Sequence, residues 1–133
     1  MNSEILEMSK KLGEKIKESD EFLEFKSAKE KMDSDKNLSS LRESFDNKKE
    51  ELNKEISLED YDKDKVKNLS DELRNLYEKI NETSSVKEFE SSKEKLNILI
   101  KSINELIYET AYGKDNPFFS ECTGSCDSCA GCL

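Results

Sequence analysis

Apolar residues recur every three or four positions along segments of this chain that are otherwise densely charged, and this spacing constrains the fold more than any other feature. The clearest case is Val66, Leu69, Leu73, Leu76 and Ile80. Residues spaced in this way share one face of an α-helix. Because 40% of the residues are charged and the chain has only one proline and four glycines, the sequence predicts an all-α protein of long, solvated helices.

About five helices are expected, and together they predict a helical bundle. The acidic, turn-rich stretch from Ser57 to Asp64 is expected to be the tip of a long central hairpin made by the third and fourth helices. Gly13 is expected to mark a close approach or a weak point in the first helix. The apolar stripe of the first helix is Ile5, Met8, Leu12 and Ile16, and that of the second is Phe22, Phe25, Ala28 and Met32. The stripe of the third helix is Leu38, Leu41, Phe45, Leu52 and Ile56. The stripe of the fifth helix is Val86, Phe89, Leu96, Leu99, Ile100, Ile103, Leu106 and Ile107, and it includes Lys93.

Polar residues at the predicted helix starts suggest how the helices are capped. Ser3 is expected to cap the first helix, and Ser19 or Asp20 the second. Ser85 and Glu88 have the spacing of a capping box, in which the serine side chain and the glutamate side chain each accept a backbone N–H bond. This motif predicts the start of the fifth helix.

The fifth helix has heptad-like spacing over three heptads, which is typical of coiled-coil packing. Two interpretations stay open, since such a stripe forms either the core of a bundle within one chain or the seam of a dimer. The hydrophobic content of 33% predicts a thin core, so burial against a second subunit is an expected source of stability.

One nine-residue segment of the chain has an echo further along. The segment from Glu24 to Met32 and the segment from Glu88 to Leu96 are identical at six of nine positions. The echo predicts that two helices have equivalent packing roles. Chance similarity is the alternative in a chain so rich in lysine and glutamate.

The charge balance bears on partners and location. The net charge is −9, with acidic and basic residues interleaved and no basic cluster, so direct binding of nucleic acid is not expected. The start of the chain lacks the basic and apolar regions of a signal peptide. No apolar run approaches the length that spans a membrane. These features predict a cytoplasmic protein without membrane insertion.

The fifth helix is expected to end near Gly113, because Asn116-Pro117 is a firm stop. The sequence therefore predicts a helical domain at residues 1–114 and a short cysteine-rich tail at residues 115–133. Phe118-Phe119 lies at this boundary, where it is expected to fill the end of the bundle, pin the tail or dock onto a partner.

All four cysteines of the chain lie in its last twelve residues, as Cys122, Cys126, Cys129 and Cys132. Closely stepped thiolates of this kind occur in iron–sulfur proteins, and the small residues between them allow tight folding around a cluster. Zinc is the alternative metal, although structural zinc sites usually join two separated cysteine pairs. A tail that forms disulfides or binds no metal also stays open. In the cytosol thiols are kept reduced, which favours metal or redox chemistry.

No catalytic constellation is visible elsewhere in the sequence. The chain has no histidine, no glycine-rich phosphate loop and no nucleophile elbow. The abundant acidic residues are expected to form solvated helix faces. The sequence therefore predicts a protein that is not an enzyme.

Several segments, in order, resemble the YlbF/YmcA family of small bacterial helical regulators. The resemblance covers roughly residues 3–112, and its individual motifs are soft helical patterns. They are the opening Ile5-Leu6 through Leu12-Gly13-Glu14-Lys15-Ile16; Ser19-Asp20-Glu21-Phe22 into Phe25-Lys26-Ser27-Ala28-Lys29; Asn37-Leu38-Ser39-Ser40-Leu41-Arg42-Glu43-Ser44-Phe45; and Val86-Lys87-Glu88-Phe89.

The resemblance implies a fold and a role. Family members are all-helical with a long central hairpin, assemble as dimers or larger oligomers, and are regulators without catalytic activity. YlbF and YmcA act with YaaT in a complex that binds [4Fe–4S] clusters and modulates RNase Y, with effects on mRNA maturation, competence, sporulation and biofilm formation. Because of their position in the tail, Cys122, Cys126, Cys129 and Cys132 are implied by the resemblance to ligate such a cluster. The resemblance also implies that different subunits can each contribute ligands to one cluster.

Overall fold

The protein is seen here in a computed structural model that describes residues 2–113. Five α-helices and no strand occur within that range, which confirms the predicted all-α class. The helices are α1 (Ser3–Lys17), α2 (Asp20–Asp33), α3 (Lys36–Ile56), α4 (Lys63–Glu82) and α5 (Ser84–Tyr112).

Polar side chains cap the first four helices. Asn2, not the expected Ser3, caps α1, since its side chain accepts a hydrogen bond from the backbone N–H of Glu4 at 3.1 Å. Ser19 caps α2 as predicted, and its hydroxyl accepts from the N–H of Phe22. Aspartates cap α3 and α4 in the same way, and each bond satisfies an N–H that the helix leaves without a partner.

The central hairpin predicted from the sequence is present, formed by α3 and α4 with its tip between Ile56 and Lys63. Lys48 and Glu72 form an ion pair across it at 3.0 Å. The α4 stripe is its inner face, because Leu69 is buried and the other four residues of the stripe are half-buried. The periodicity of α4 therefore identified its packing face correctly.

The chain divides into two units, Met1–Asn97 and Ile98–Leu133. Within the first unit the core is thin, as expected, and its buried apolar side chains are Ala28, Leu38, Leu69, Val86 and Leu96. Leu38, at the start of α3, is completely buried. The described part of the second unit is the C-terminal half of α5 and Gly113, which follows the helix with a positive φ of 77°. Glycine adopts that conformation without strain.

Not every residue of the apolar stripes is buried in the single chain, and Gly13 has open space around it. Ile5 and Met8 of α1 keep 60% and 63% of their surface exposed, and no residue of α1 is buried. Ile56 is exposed because Glu55 takes the buried position at the end of α3. A side chain at Gly13 would meet nothing within 4 Å, so this glycine does not mark a close approach within the described chain.

Candidate interaction surfaces

The two echo segments lie opposite each other where α2 meets the first half of α5. The rings of Phe25 and Phe89, which are equivalent positions in the echo, lie 5.3 Å apart. Ala28 and Ser92, a second equivalent pair, are both buried. The echo therefore supplies both the aromatic contact and a pair of small buried side chains at this crossing.

The two ion pairs at this crossing are also equivalent to each other in the echo. Lys31 on α2 contacts Glu88 on α5 at 3.5 Å, and Lys95 on α5 contacts Glu24 on α2 at 2.7 Å. In the echo, Lys31 corresponds to Lys95 and Glu24 to Glu88. The two segments therefore pack antiparallel about a local approximate two-fold axis, which confirms that the echo reflects equivalent packing roles.

The residues of the predicted capping box contact other helices, and that prediction is wrong. The hydroxyl of Ser85 donates a hydrogen bond to the Asp35 carboxylate at 2.6 Å, and Glu88 pairs with Lys31. Helix α5 begins one residue before Ser85, and the carbonyl of Thr83 accepts the N–H of Lys87. The motif marked the start of the helix, but tertiary partners compete successfully for its side chains.

Asp35 joins the starts of two helices that are fifty positions apart in the chain. One carboxylate oxygen accepts from the N–H of Leu38 at 3.1 Å and caps α3, and the other accepts from Ser85 at the start of α5. These bonds, that from Ser85 first, hold the pKa of Asp35 below its ordinary value of 3.8.

Glu55 plays a similar part at the hairpin tip. Its carboxylate accepts from the N–H of Asp62 at 3.0 Å and pairs with Lys65 at 2.9 Å. These contacts lower the pKa of Glu55, the backbone bond being the larger cause, and the bond from Lys65 raises the pKa of that lysine. Sequence reasoning missed Glu55, because a single carboxylate does not stand out among so many.

Two rows of apolar side chains remain exposed in the single chain. We call Ile5, Met8 and Leu12 the α1 row; these side chains keep 37–63% of their surface exposed. In the second unit, the C-terminal half of α5 exposes Ile98, Ile100, Leu106 and Ile107. Ile100 and Ile107 are seven positions apart and share one helix face, and we call this pair the α5 row. Exposed apolar side chains that share one helix face are typical of sites of protein association, so both rows are candidate contacts for other subunits.

The four cysteines predicted to bind a cluster, Cys122, Cys126, Cys129 and Cys132, lie outside the described residues, as does Phe118-Phe119. Within residues 2–113, acidic side chains form no group that could hold a metal ion. None of the helices described is both long and apolar enough to cross a lipid bilayer.

A body of charged helices with exposed apolar rows is typical of proteins that act by binding other proteins. The chain belongs to the YlbF/YmcA family, whose description is control of the competence regulator ComK, and the family model matches residues 5–110. The match confirms the family assignment made from the sequence, and the family is a regulatory one. No curated protein and no solved structure matches the chain significantly.

Proposed function

We propose that this protein is a non-catalytic, cytoplasmic regulatory subunit that assembles with YmcA-like and YaaT-like proteins. The assembly modulates RNase Y and thereby the maturation of mRNA, with consequences for competence, sporulation and biofilm formation. The observation that carries the proposal is the family match over residues 5–110, within a family that controls a regulator of competence. The exposed α1 and α5 rows support it, because they offer surface for subunit contacts.

We further propose that the tail binds a cluster, most simply [4Fe–4S], through Cys122, Cys126, Cys129 and Cys132. The chain has no histidine and no other cysteine, so these four side chains are its only thiolate ligands. Their donor chemistry suits iron–sulfur clusters and also zinc. Since metal binding is coupled to local folding, loss of the cluster would weaken whatever contacts the tail makes.

The test is metal and sulfide analysis of protein purified without air, alone and with its proposed partners. We expect iron, acid-labile sulfide and absorbance near ~400 nm, all reduced by Cys129→Ser with no loss of helical circular dichroism. Ser128→Ala, which keeps every thiol, is the matched control. Zinc without sulfide would replace the cluster by a structural zinc site. A metal-free complex that still regulates RNase Y would reject the cluster and retain the regulatory role.

A redox or metal-handling protein is the second candidate, because the same four clustered thiols could pass on metal or electrons. This function predicts transfer of metal to an acceptor, or disulfide exchange, by the isolated chain. A regulatory subunit does neither at useful rates. If deletion of residues 118–133 leaves every partner interaction unchanged, the protein is a helical scaffold whose tail is incidental.

A further inference from the structure

A small groove where α1 ends and α2 begins combines aromatic and basic side chains. It has a volume of about 370 Å³ and is lined by Lys17, Phe22, Phe25, Lys26 and Lys29; we call it the Lys–Phe groove. On α2 the spacing of four residues from Phe22 to Lys26, and from Phe25 to Lys29, aligns each aromatic ring with a lysine along the helix. No acidic residue lines the groove.

The three lysines of the groove form no ion pair with the residues that the structure describes. Eight lysines form ion pairs within that range, and the remaining lysines there, Lys17, Lys26 and Lys29 among them, form none. The groove is lined by three lysines and no acidic residue, so its lining is basic although the chain has a net charge of −9. Such a site attracts carboxylates through electrostatic complementarity.

The phenylalanines of the groove are held in place by contacts with other aromatic rings. Phe25 lies against Phe89 of α5 at 5.3 Å and against Phe22 at 6.3 Å, and both groove phenylalanines remain half-buried. Rings fixed in this way present apolar surface with little loss of side-chain freedom on binding. The groove therefore suits an aromatic or large apolar side chain that carries negative charge on either side.

Charge around the groove favours an acidic peptide over a nucleic acid. Asp20, Glu21 and Glu24 lie on the same helix as Lys26 and Lys29. They would repel the closely and evenly spaced phosphates of a nucleic-acid strand. A peptide carries fewer charges, and it can place two or three carboxylates against the lysines alone.

We propose that the Lys–Phe groove is a docking site for an acidic protein segment that inserts an aromatic or large apolar side chain between its lysines. The site goes beyond the proposed regulatory function and does not depend on the cysteine tail. It would recruit a partner by charge and by one apolar anchor, and its affinity would fall as salt screens the lysines.

The test uses the full chain and a fluorescent peptide in which two phenylalanines are flanked by glutamates. We expect saturable binding that weakens with salt, with amide shifts at Phe22, Lys26 and Lys29 by NMR. Lys26→Glu combined with Lys29→Glu should weaken binding by at least about tenfold, because carboxylates would then face carboxylates. A peptide with glutamine in place of glutamate, and another with alanine in place of phenylalanine, should both bind weakly.

Lys63→Glu combined with Lys67→Glu is the matched control, since these lysines are also exposed, unpaired among the described residues and on one helix. Lys26→Gln combined with Lys29→Gln serves as a second variant, and circular dichroism checks the fold of all of them. Equal weakening by the groove and control variants would overturn the proposal. So would an absence of peptide binding, or tighter binding of a single-stranded RNA oligonucleotide that the groove variant abolishes.

Discussion

Asp35 shows how one residue can fix the relation between two helices. Its carboxylate accepts hydrogen bonds from the Leu38 N–H in the first turn of α3 and from the Ser85 hydroxyl of α5 at the same time. Aspartate suits this role because a charged acceptor strengthens both hydrogen bonds. The arrangement also ties the stability of the first unit to the ionisation of this side chain.

Asp35→Asn should make the first unit less sensitive to acid. Asparagine still caps a helix but has no charge to lose. Because the pKa of Asp35 is lowered in the folded chain, its contribution is complete above its ordinary value of 3.8 and is lost as the pH falls through the folded pKa. Wild type should therefore lose more stability than Asp35→Asn between about pH 6 and pH 3, measured by urea unfolding.

Ser85→Ala provides the companion variant for that experiment. It removes the main donor to Asp35 while leaving the α3 cap in place. The pKa of Asp35 should then move back towards 3.8, and the pH dependence should lie between those of wild type and Asp35→Asn. Identical pH dependence for all three proteins would show that the Asp35–Ser85 bond does not couple the two helices.

At the scale of helices, the α2–α5 crossing makes the clearest use of repeated sequence. Equivalent positions supply both sides of each contact, so the same short pattern encodes the aromatic pair, the small buried pair and the two ion pairs. The ion pairs are about half-exposed, and such pairs stabilise weakly. Their main contribution is to fix the register of α2 against α5, because they join the two helices at two points on opposite sides of the crossing.

Exchanging the charges across this crossing tests that register. Lys31→Glu with Lys95→Glu should destabilise the chain, as should Glu24→Lys with Glu88→Lys, because each double variant opposes like charges at both points. The loss should be about 0.2–1 kcal/mol per pair at low salt. All four changes together should restore most of the stability in thermal unfolding. A fourfold variant as unstable as the sum of the two doubles would contradict the pairing.

The helices show which parts of the fold can be predicted from sequence. Periodicity located all five, since the spacing of apolar residues is a local property. It found the packing face of α4 but not the end of α3, where Glu55 is buried and Ile56 exposed. Burial of Glu55 depends on a backbone N–H and a lysine across the hairpin tip, and local spacing contains no information about such partners.

For the whole molecule, the thin core and the exposed rows bear on the alternatives left open for the α5 stripe. Val86 and Leu96 are buried within the first unit, whereas Ile100 and Ile107 keep 39% and 51% of their surface exposed. The N-terminal part of the stripe is therefore core in the single chain. Its C-terminal part is the better candidate for a seam between subunits.

Leu73→Asp and Ile100→Asp should therefore lower the stability of the protein in different ways. Leu73 lies half-buried on the inner face of α4, so a charge there should cost about 2 kcal/mol or more at every protein concentration. Ile100 is exposed in the single chain, so its replacement should lower the melting temperature only where the protein self-associates. Unfolding over a range of concentrations, with light scattering for mass, separates the two effects.

Ser102→Asp is the control for that comparison, because it adds the same charge at an exposed polar position on the side of α5 away from Ile100. It should leave both mass and stability close to those of wild type. If Ile100→Asp instead lowers the stability of dilute monomer as much as Leu73→Asp does, the C-terminal part of the α5 stripe stabilises the single chain. If wild type stays monomeric at every concentration while binding its partners, the exposed row serves contacts between different proteins.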